Sequence, residues 1–227
     1  MSSSGMNDPR EANFTVTAPE IVYKAVKGLA GILCRLYFRV RITGRQIPET
    51  GPIILAPVHR SFLDFLIVGT TMTKRKVYFM AKDDLWKSKP LGAFLNTFGA
   101  FPVNRDGTDR LALDRAQAVL ERGDVLIMFP EGTRRTGPKI EDLHEGVAFL
   151  AARTGTRILP IGVGGTSAAM PKGAKIPRPV KVTLVVGDFI DPPEKSGAGR
   201  VPRTKVHAVT EELRSELQNL YEISEPA

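Results

Sequence analysis

Short apolar runs alternate along the chain with longer stretches in which apolar residues recur at helical spacing. Residues 40–43, 53–56, 77–80, 125–129, 158–163 and 180–186 are mostly apolar, several of them β-branched throughout, and each reads as a strand. Residues 62–72, 108–122, 145–153 and 203–223 carry the helical period. Strands apolar on both faces and joined by helices predict an α/β fold: a central, mostly parallel or mixed sheet flanked by helices. Pro192, Pro193 and residues 195–199 mark a linker before the closing helix.

A further helix is predicted over 20–39, and its two sides differ. At about 100° per residue, Val22, Val26, Leu29, Leu33, Leu36, Tyr37 and Val40 gather on one side, with Lys24, Lys27, Arg35 and Arg39 opposite. An apolar face backed by a basic stripe is the composition of a helix lying in a membrane surface, its Lys and Arg stems reaching phosphate headgroups. The same pattern suits an amphipathic helix packed on its own domain. Residues 1–19 are polar and small, with no charged segment leading into an apolar run, so they read as a mobile tail and not as a secretory signal. The expected organisation is a tail (1–19), a membrane-association helix (20–39) and an α/β domain (40–227). No stretch of about twenty residues lacks charge, which argues against a membrane-spanning helix and for a protein that is soluble or bound at a surface.

The length of 227 residues is enough for one domain with a sizeable core. A formal charge of +8 attracts an anionic partner, whether nucleic acid, a phosphorylated small molecule or an anionic leaflet. Nucleic acid is disfavoured, because the basic residues are interleaved with core elements and lack clustered aromatics for base stacking. The single cysteine, Cys34, excludes an intramolecular disulfide, and three scattered histidines without a cysteine cluster give no metal-ligand spacing. This usage suits a reducing compartment.

Two patterns carry candidate chemistry. His59 is followed at the fifth position by Asp64, and residues five apart on a helix diverge by about 140°, so His59 must precede the helix for the two to meet. Pro57 ends the strand, Ser61 is the expected N-cap, and Asp64 at the third helical position turns back toward the imidazole. An imidazole so oriented by a carboxylate can take a proton from an alcohol. Ser61-x-x-Asp64 is equally a capping box, in which Asp64 would satisfy a backbone amide. The second pattern is Phe129-Pro130-Glu131-Gly132-Thr133-Arg134. Pro130 stops the preceding strand and Gly132 permits a sharp turn, so Glu131 and Arg134 project where open α/β sheets bind ligands. The alternative is a charged turn with a local Glu131–Arg134 pair.

These blocks, with two others, resemble the glycerophospholipid acyltransferase family of HX4D type, which includes bacterial and plant 1-acylglycerol-3-phosphate acyltransferases. His59-Arg60-Ser61-Phe62-Leu63-Asp64 is similar to its first block, Gly99-Ala100-Phe101-Pro102-Val103-Asn104-Arg105 to its second, Phe129 to Arg134 to its third, and Ile158-Leu159-Pro160-Ile161-Gly162-Val163 to its fourth. Ala169-Met170-Pro171-Lys172-Gly173 is similar to a loop before the late strand. The resemblance implies His59 as general base oriented by Asp64, with Arg105, Glu131, Thr133 and Arg134 handling the acceptor's glycerol phosphate around the turn that Gly132 shapes. Lys82 and Lys172 are further phosphate candidates. Val58 and Arg135 depart from the asparagine and serine common at those places, which bears on acceptor identity more than on chemistry.

The implied activity is transfer of a fatty acyl group from a thioester of coenzyme A or acyl carrier protein to lysophosphatidic acid, with no bound cofactor and no metal. The implied location is the cytoplasmic side of the cell membrane, peripheral or monotopic, against a phospholipid surface. Direct transfer needs no enzyme nucleophile, and the chain agrees, since Gly164-Gly165-Thr166-Ser167 is no nucleophile elbow. Glycerol-3-phosphate or another lysolipid is the alternative acceptor, and a non-catalytic anionic-lipid-binding protein is the alternative from another class.

Overall fold

The computed structural model describes residues 19–103, 109–195 and 201–225. Of the expected tail only Pro19 falls within them, and most of the expected linker, residues 196–199, lies outside. In chain order the elements are α1 (Glu20–Tyr37), β1 (Arg41–Gly44), β2 (Ile53–Pro57), α2 (Leu63–Thr71), β3 (Val77–Lys82), a 3-10 turn (Asp83–Lys87), α3 (Lys89–Thr97), β4 (Ala100–Val103), α4 (Arg110–Glu121), β5 (Val125–Ile127), α5 (Gly146–Thr154), β6 (Ile158–Gly164), α6 (Thr166–Ala169), β7 (Thr183–Val186) and α7 (Arg203–Ser224).

The seven strands form one mixed sheet in the order β1-β7-β6-β2-β5-β3-β4. Neighbours from β6 through β4 are parallel, β7 runs antiparallel to β6, and β1 is parallel to β7. Alternate residues of each strand feed two cores. Ile53, Leu55, Val77, Phe79, Val125 and Ile127 pack with Phe65, Ile67 and Val68 of α2 on one face. Ile54, Tyr78 and Leu126 pack with Val119 of α4, Leu150 of α5 and Leu213 and Leu217 of α7 on the other. This is the architecture that doubly apolar strands demand. Its consequence is that five parallel strands deliver their carboxyl ends to one edge.

Two strand positions look anomalous by sequence. Pro102 lies in β4, an edge strand paired only with β3, where a missing N–H is harmless. Pro160 lies in central β6, but the ladder to β7 runs from Ile161↔Val186, and the next bridge, Ile158↔Ile190, faces one more residue on the β7 side. That bulge bypasses Pro160, whose carbonyl accepts from Gly187 N at 3.1 Å. Gly162 and Gly164 are explained by contact: a Cβ there would strike the Leu220 and Ser224 carbonyls of α7.

Helix α1 sits on α2 in an orientation the sequence did not disclose. Its apolar face points outward, with Leu29 61% and Leu36 72% exposed beside Val22, Val26 and Leu33. Tyr23, Lys27, Gly31 and Cys34 face the domain. The expected headgroup-facing role of the basic stripe is therefore corrected. Lys27 is buried and donates to Arg75 O at 2.5 Å, Arg35 donates to Thr71 O at the end of α2, and Arg39 donates to Pro179 O at 2.9 Å. Lys24 pairs with Glu20 one turn away. The end of α2 explains the reversal, because the last carbonyls of a helix have no intrahelical donor and carry partial negative charge. Among the described residues no helix is long and apolar enough to cross a membrane.

Gly31 makes this docking possible, since a Cβ on it would lie 2.5 Å from Thr70 O, whereas one on Gly28 would meet nothing within 4 Å. Gly31→Ala is expected to cost about 1–3 kcal/mol and to open the buried Cys34 thiol to maleimide, while Gly28→Ala gains about 0.5–1 kcal/mol of helix propensity. Equal labelling rates and melting temperatures in the two variants would refute the docking geometry. Burial also pushes the Lys27 ammonium from its ordinary 10.5 down to about 8. Between those values the unfolded chain binds the extra proton, so native stability rises with pH. The stability difference between wild type and Lys27→Met, read from urea midpoints, should move in favour of wild type across that window.

Candidate active site

β2 and β5 are adjacent and parallel, so the segments leaving their carboxyl ends emerge side by side. Val58 N donates to Ile161 O at 3.0 Å and Met128 N to Leu55 O at 2.9 Å, which carries the sheet to the threshold of both motifs. Asp64 is wholly buried, and its Oδ2 accepts from the amides of Arg60 and Ser61 at 2.7 Å each while lying 3.0 Å from His59 Nδ1. Two fixed donors thus anchor the carboxylate that meets the imidazole. The helix begins at Leu63 with Phe62 in the cap position, so Asp64 is its second residue, not its third, and Ser61 is not the N-cap. Ser61 Oγ instead accepts from Leu63 N at 3.3 Å and donates to Met170 O at 3.0 Å. The capping and orienting roles of Asp64, alternatives by sequence, coexist on one oxygen. The imidazole stacks on Phe129, ring centroids 4.0 Å apart and planes at 25°.

The third block behaves differently from the sequence expectation at one residue. Glu131 does not project toward a ligand and does not pair with Arg134; it is buried, its Oε1 accepting from His59 N at 2.8 Å and its Oε2 from Arg60 Nη1 at 2.5 Å. Pro130 and Gly132 turn the chain so that the carboxylate swings back under the first motif. Arg60 also donates to His59 O at 3.3 Å and Lys139 O at 3.2 Å, and its guanidinium lies 4.8 Å from the ring centroid of Tyr221 on α7. Burial, with Glu225 beside it, pushes the Tyr221 phenol up to about 12. Gly132 has φ +66°, and a Cβ there would lie 2.5 Å from the His144 ring, so both backbone and space require glycine.

Arg134 and Thr133 are exposed. Arg134 lines a cavity of about 470 Å³ together with Arg60, Arg135, Lys172, Tyr221 and Glu225. The volume is that of a small-ligand site, and the cations outnumber the single carboxylate. Lys172 therefore joins Arg134, as the motifs suggested. Lys82 does not; it lies at the end of β3 and pairs with Asp84, whose carboxyl Lys82 and Lys87 hold down to about 2. Arg105 lies outside the described residues, just beyond β4. Among the described residues, no three His, Cys, Asp or Glu side chains converge as a metal centre would require.

Arg60, Phe129 and Tyr221 shape the site without having been singled out by sequence. An arginine between a histidine and a serine at a strand's end carries no signal that it is buried, and its partner is 71 residues away. Phe129 read as the last apolar residue of its strand and the first of the third block, neither of which places it against the imidazole.

A seven-stranded α/β sheet thus presents a buried His–Asp pair and a cationic cavity near its carboxyl edge. The profile of the family described as Acyltransferase matches residues 39–164, and the chain belongs to that family. A 1-acyl-sn-glycerol-3-phosphate acyltransferase of Bacillus subtilis is 24% identical over 88% of this chain and 96% of its own length. One from Chlamydomonas reinhardtii is 31% identical over 70% of this chain, which spans about half of that longer protein, 49%. The crystal structure of the 1-acyl-sn-glycerophosphate (LPA) acyltransferase PlsC from Thermotoga maritima superposes with a TM-score of 0.68 at 24% identity, covering 90% of this chain and 83% of that one, and shares the fold.

The buried Arg60–Glu131 pair yields a stability test. Arg60→Met strands the Glu131 carboxylate and is expected to cost about 3–5 kcal/mol, and adding Glu131→Gln should recover much of that loss. Strict additivity of the two substitutions in thermal or urea unfolding would show that the pair is not coupled.

Proposed function

We propose that this acyltransferase moves a fatty acyl group from a thioester to the free hydroxyl of lysophosphatidic acid, forming phosphatidic acid in phospholipid synthesis. The observation that carries the reading is the 3.0 Å contact between His59 Nδ1 and a carboxylate oxygen already fixed by two backbone amides. Asp64 holds the tautomer with the proton on Nδ1, which leaves the Nε2 lone pair for the acceptor's hydroxyl. As Nε2 takes the proton, the acceptor oxygen bonds to the thioester carbonyl carbon. Collapse of the tetrahedral adduct breaks the C–S bond, and the departing thiolate receives the proton from the imidazolium. Asp64 stabilises that cation, and neither an enzyme nucleophile nor a bound cofactor enters the balance.

Arg134 and Lys172 in the cavity supply cations for the acceptor phosphate, with Arg105 assigned to the same task by its motif. Glu131, buried and doubly bonded, serves by holding the His59 backbone and not by touching acceptor. The names of the relatives from B. subtilis and C. reinhardtii support the acceptor. The donor is a thioester of coenzyme A or acyl carrier protein. The exposed apolar face of α1 supports a peripheral or monotopic seat on a phospholipid surface; the cytoplasmic side of the cell membrane is proposed for it from the family resemblance alone.

Purified protein given acyl-CoA or acyl carrier protein donors and a panel of glycerol-3-phosphate, both lysophosphatidate regioisomers and a lyso-ornithine lipid should release thiol and form phosphatidic acid, as read by mass spectrometry. His59→Ala should reduce kcat about 10²–10⁴-fold with an unchanged thermal transition, and Asp64→Asn should fall in the same range. Turnover on another acceptor alone would reassign the substrate. Near-normal turnover by folded His59→Ala would remove the mechanism.

A further inference from the structure

The reversal of α1 leaves a gap. Its apolar face is outward, but Lys24 is tied to Glu20, Lys27 is buried, and Arg35 and Arg39 bind backbone carbonyls. The cations of this segment are thus buried, paired or turned toward backbone carbonyls, and they lie on the side away from the apolar face. The segment between α6 and β7 is built to neutralise an anionic lipid surface. From Pro171 to Val182 it carries Lys172, Lys175, Arg178 and Lys181 and no acidic residue, and the whole stretch from 146 to 187 has none. Among the described residues these four cations form no ion pair, and each is exposed.

The loop is held in shape and in place. Pro171, Pro177 and Pro179 restrict its backbone, Arg178 N donates to Ala169 O at 2.7 Å, and Val182 N donates to Phe38 O at 3.0 Å. Two side chains at and just beyond the end of α1 grip it: Tyr37 donates to Pro177 O at 2.8 Å and Arg39 to Pro179 O at 2.9 Å. Beside those grips stands Ile176, 79% exposed, between Lys175 and Arg178 and next to the outward apolar end of α1. At its other end the loop reaches the cavity through Pro171 and Lys172, and Ser61 of the first motif holds Met170 O.

We infer that the 171–182 loop is a second membrane contact, in which Lys175, Arg178 and Lys181 bind anionic phospholipid headgroups beside the inserted face of α1, so that an anionic lysolipid meets an unbroken run of cations from bilayer to cavity. The inference rests on reading α1 as the lipid-facing helix. A lipid surface is favoured over an acidic protein because the cations abut an exposed apolar face and flank an exposed isoleucine, the pairing of charge and apolar area that an interface with headgroups and tails rewards.

The test is vesicle binding by the full chain to phosphatidylcholine, with and without phosphatidylglycerol, together with turnover on a short-chain, water-soluble acceptor. Changing Lys175→Gln, Arg178→Gln and Lys181→Gln together should remove about 10²-fold of the phosphatidylglycerol-dependent affinity, at roughly one decade or less per cation. Binding to phosphatidylcholine, soluble turnover and melting temperature should stay as in wild type, and added salt should erase the same increment from wild type. Undiminished binding to phosphatidylglycerol vesicles overturns the proposal. Equal loss on both vesicle types also overturns it, because the loop would then act only by supporting α1. Undiminished binding with turnover lost only for the acyl carrier protein donor would assign the loop to an acidic protein instead. Leu29→Glu with Leu33→Glu separates the underlying reading: if that variant binds both vesicle types normally while the triple variant loses its increment, the α1 reading fails and the loop assignment stands.

Discussion

Arg60 and Glu131 are joined beneath the site, and the rest of the arrangement depends on that junction. Each charge on its own would cost several kcal/mol to bury, and their attraction offsets this only if the remaining donors and acceptors are filled. Most are: Glu131 accepts from the His59 amide, Arg60 donates to the His59 and Lys139 carbonyls, and the face of Tyr221 covers the guanidinium, which leaves Arg60 Nε as the one buried nitrogen of that side chain without a partner. The pair spans the strands β2 and β5 and grips the His59 backbone from both its N–H and its C=O. Asp64 then needs only to set the ring, because the peptide carrying that ring is already fixed. A single ion pair in this way converts two turns at neighbouring strand ends into one rigid unit.

What could be read in the sequence follows the range of the interaction concerned. Six strands and the helices α1, α2, α4, α5 and α7 were visible because their signals are local, carried by runs such as Ile53 to Ala56 and by the helical period through α7. β4 was hidden by Pro102, which is tolerated only because that strand lies at the sheet's edge, a fact of topology. α3 was hidden by Pro90 and Gly92; the proline sits in the first turn, where its missing N–H does not matter, and the glycine makes room for the Trp86 ring, 3.0 Å from where a Cβ would be. The His59–Asp64 contact was one of two readings that the spacing allowed, the capping box being the other, and the structure holds both. The direction of Glu131 was not, since turn chemistry says that a chain reverses and not which side of the turn meets a buried cation from 71 residues earlier.

Helix α1 teaches a related lesson about amphipathic patterns. Periodicity separates two faces but does not say which one the protein keeps. Here the unfilled carbonyls at the end of α2 and around Arg75 and Pro179 claim the basic side, and the apolar side is left outside. Burying a lysine is tolerable because its ammonium finds a carbonyl, and Gly31 lets the helices approach closely enough for that reach.

The same contact makes α2 a mechanical strut. One end of this nine-residue helix carries Asp64, and the other is clasped by Arg35 of α1. At 1.5 Å per residue the rod is roughly 13 Å long, with no hinge along it. Whatever α1 rests upon is thereby set at a constant height from the His59–Asp64 pair, a height decided by the length of one helix and not by the swing of a tether.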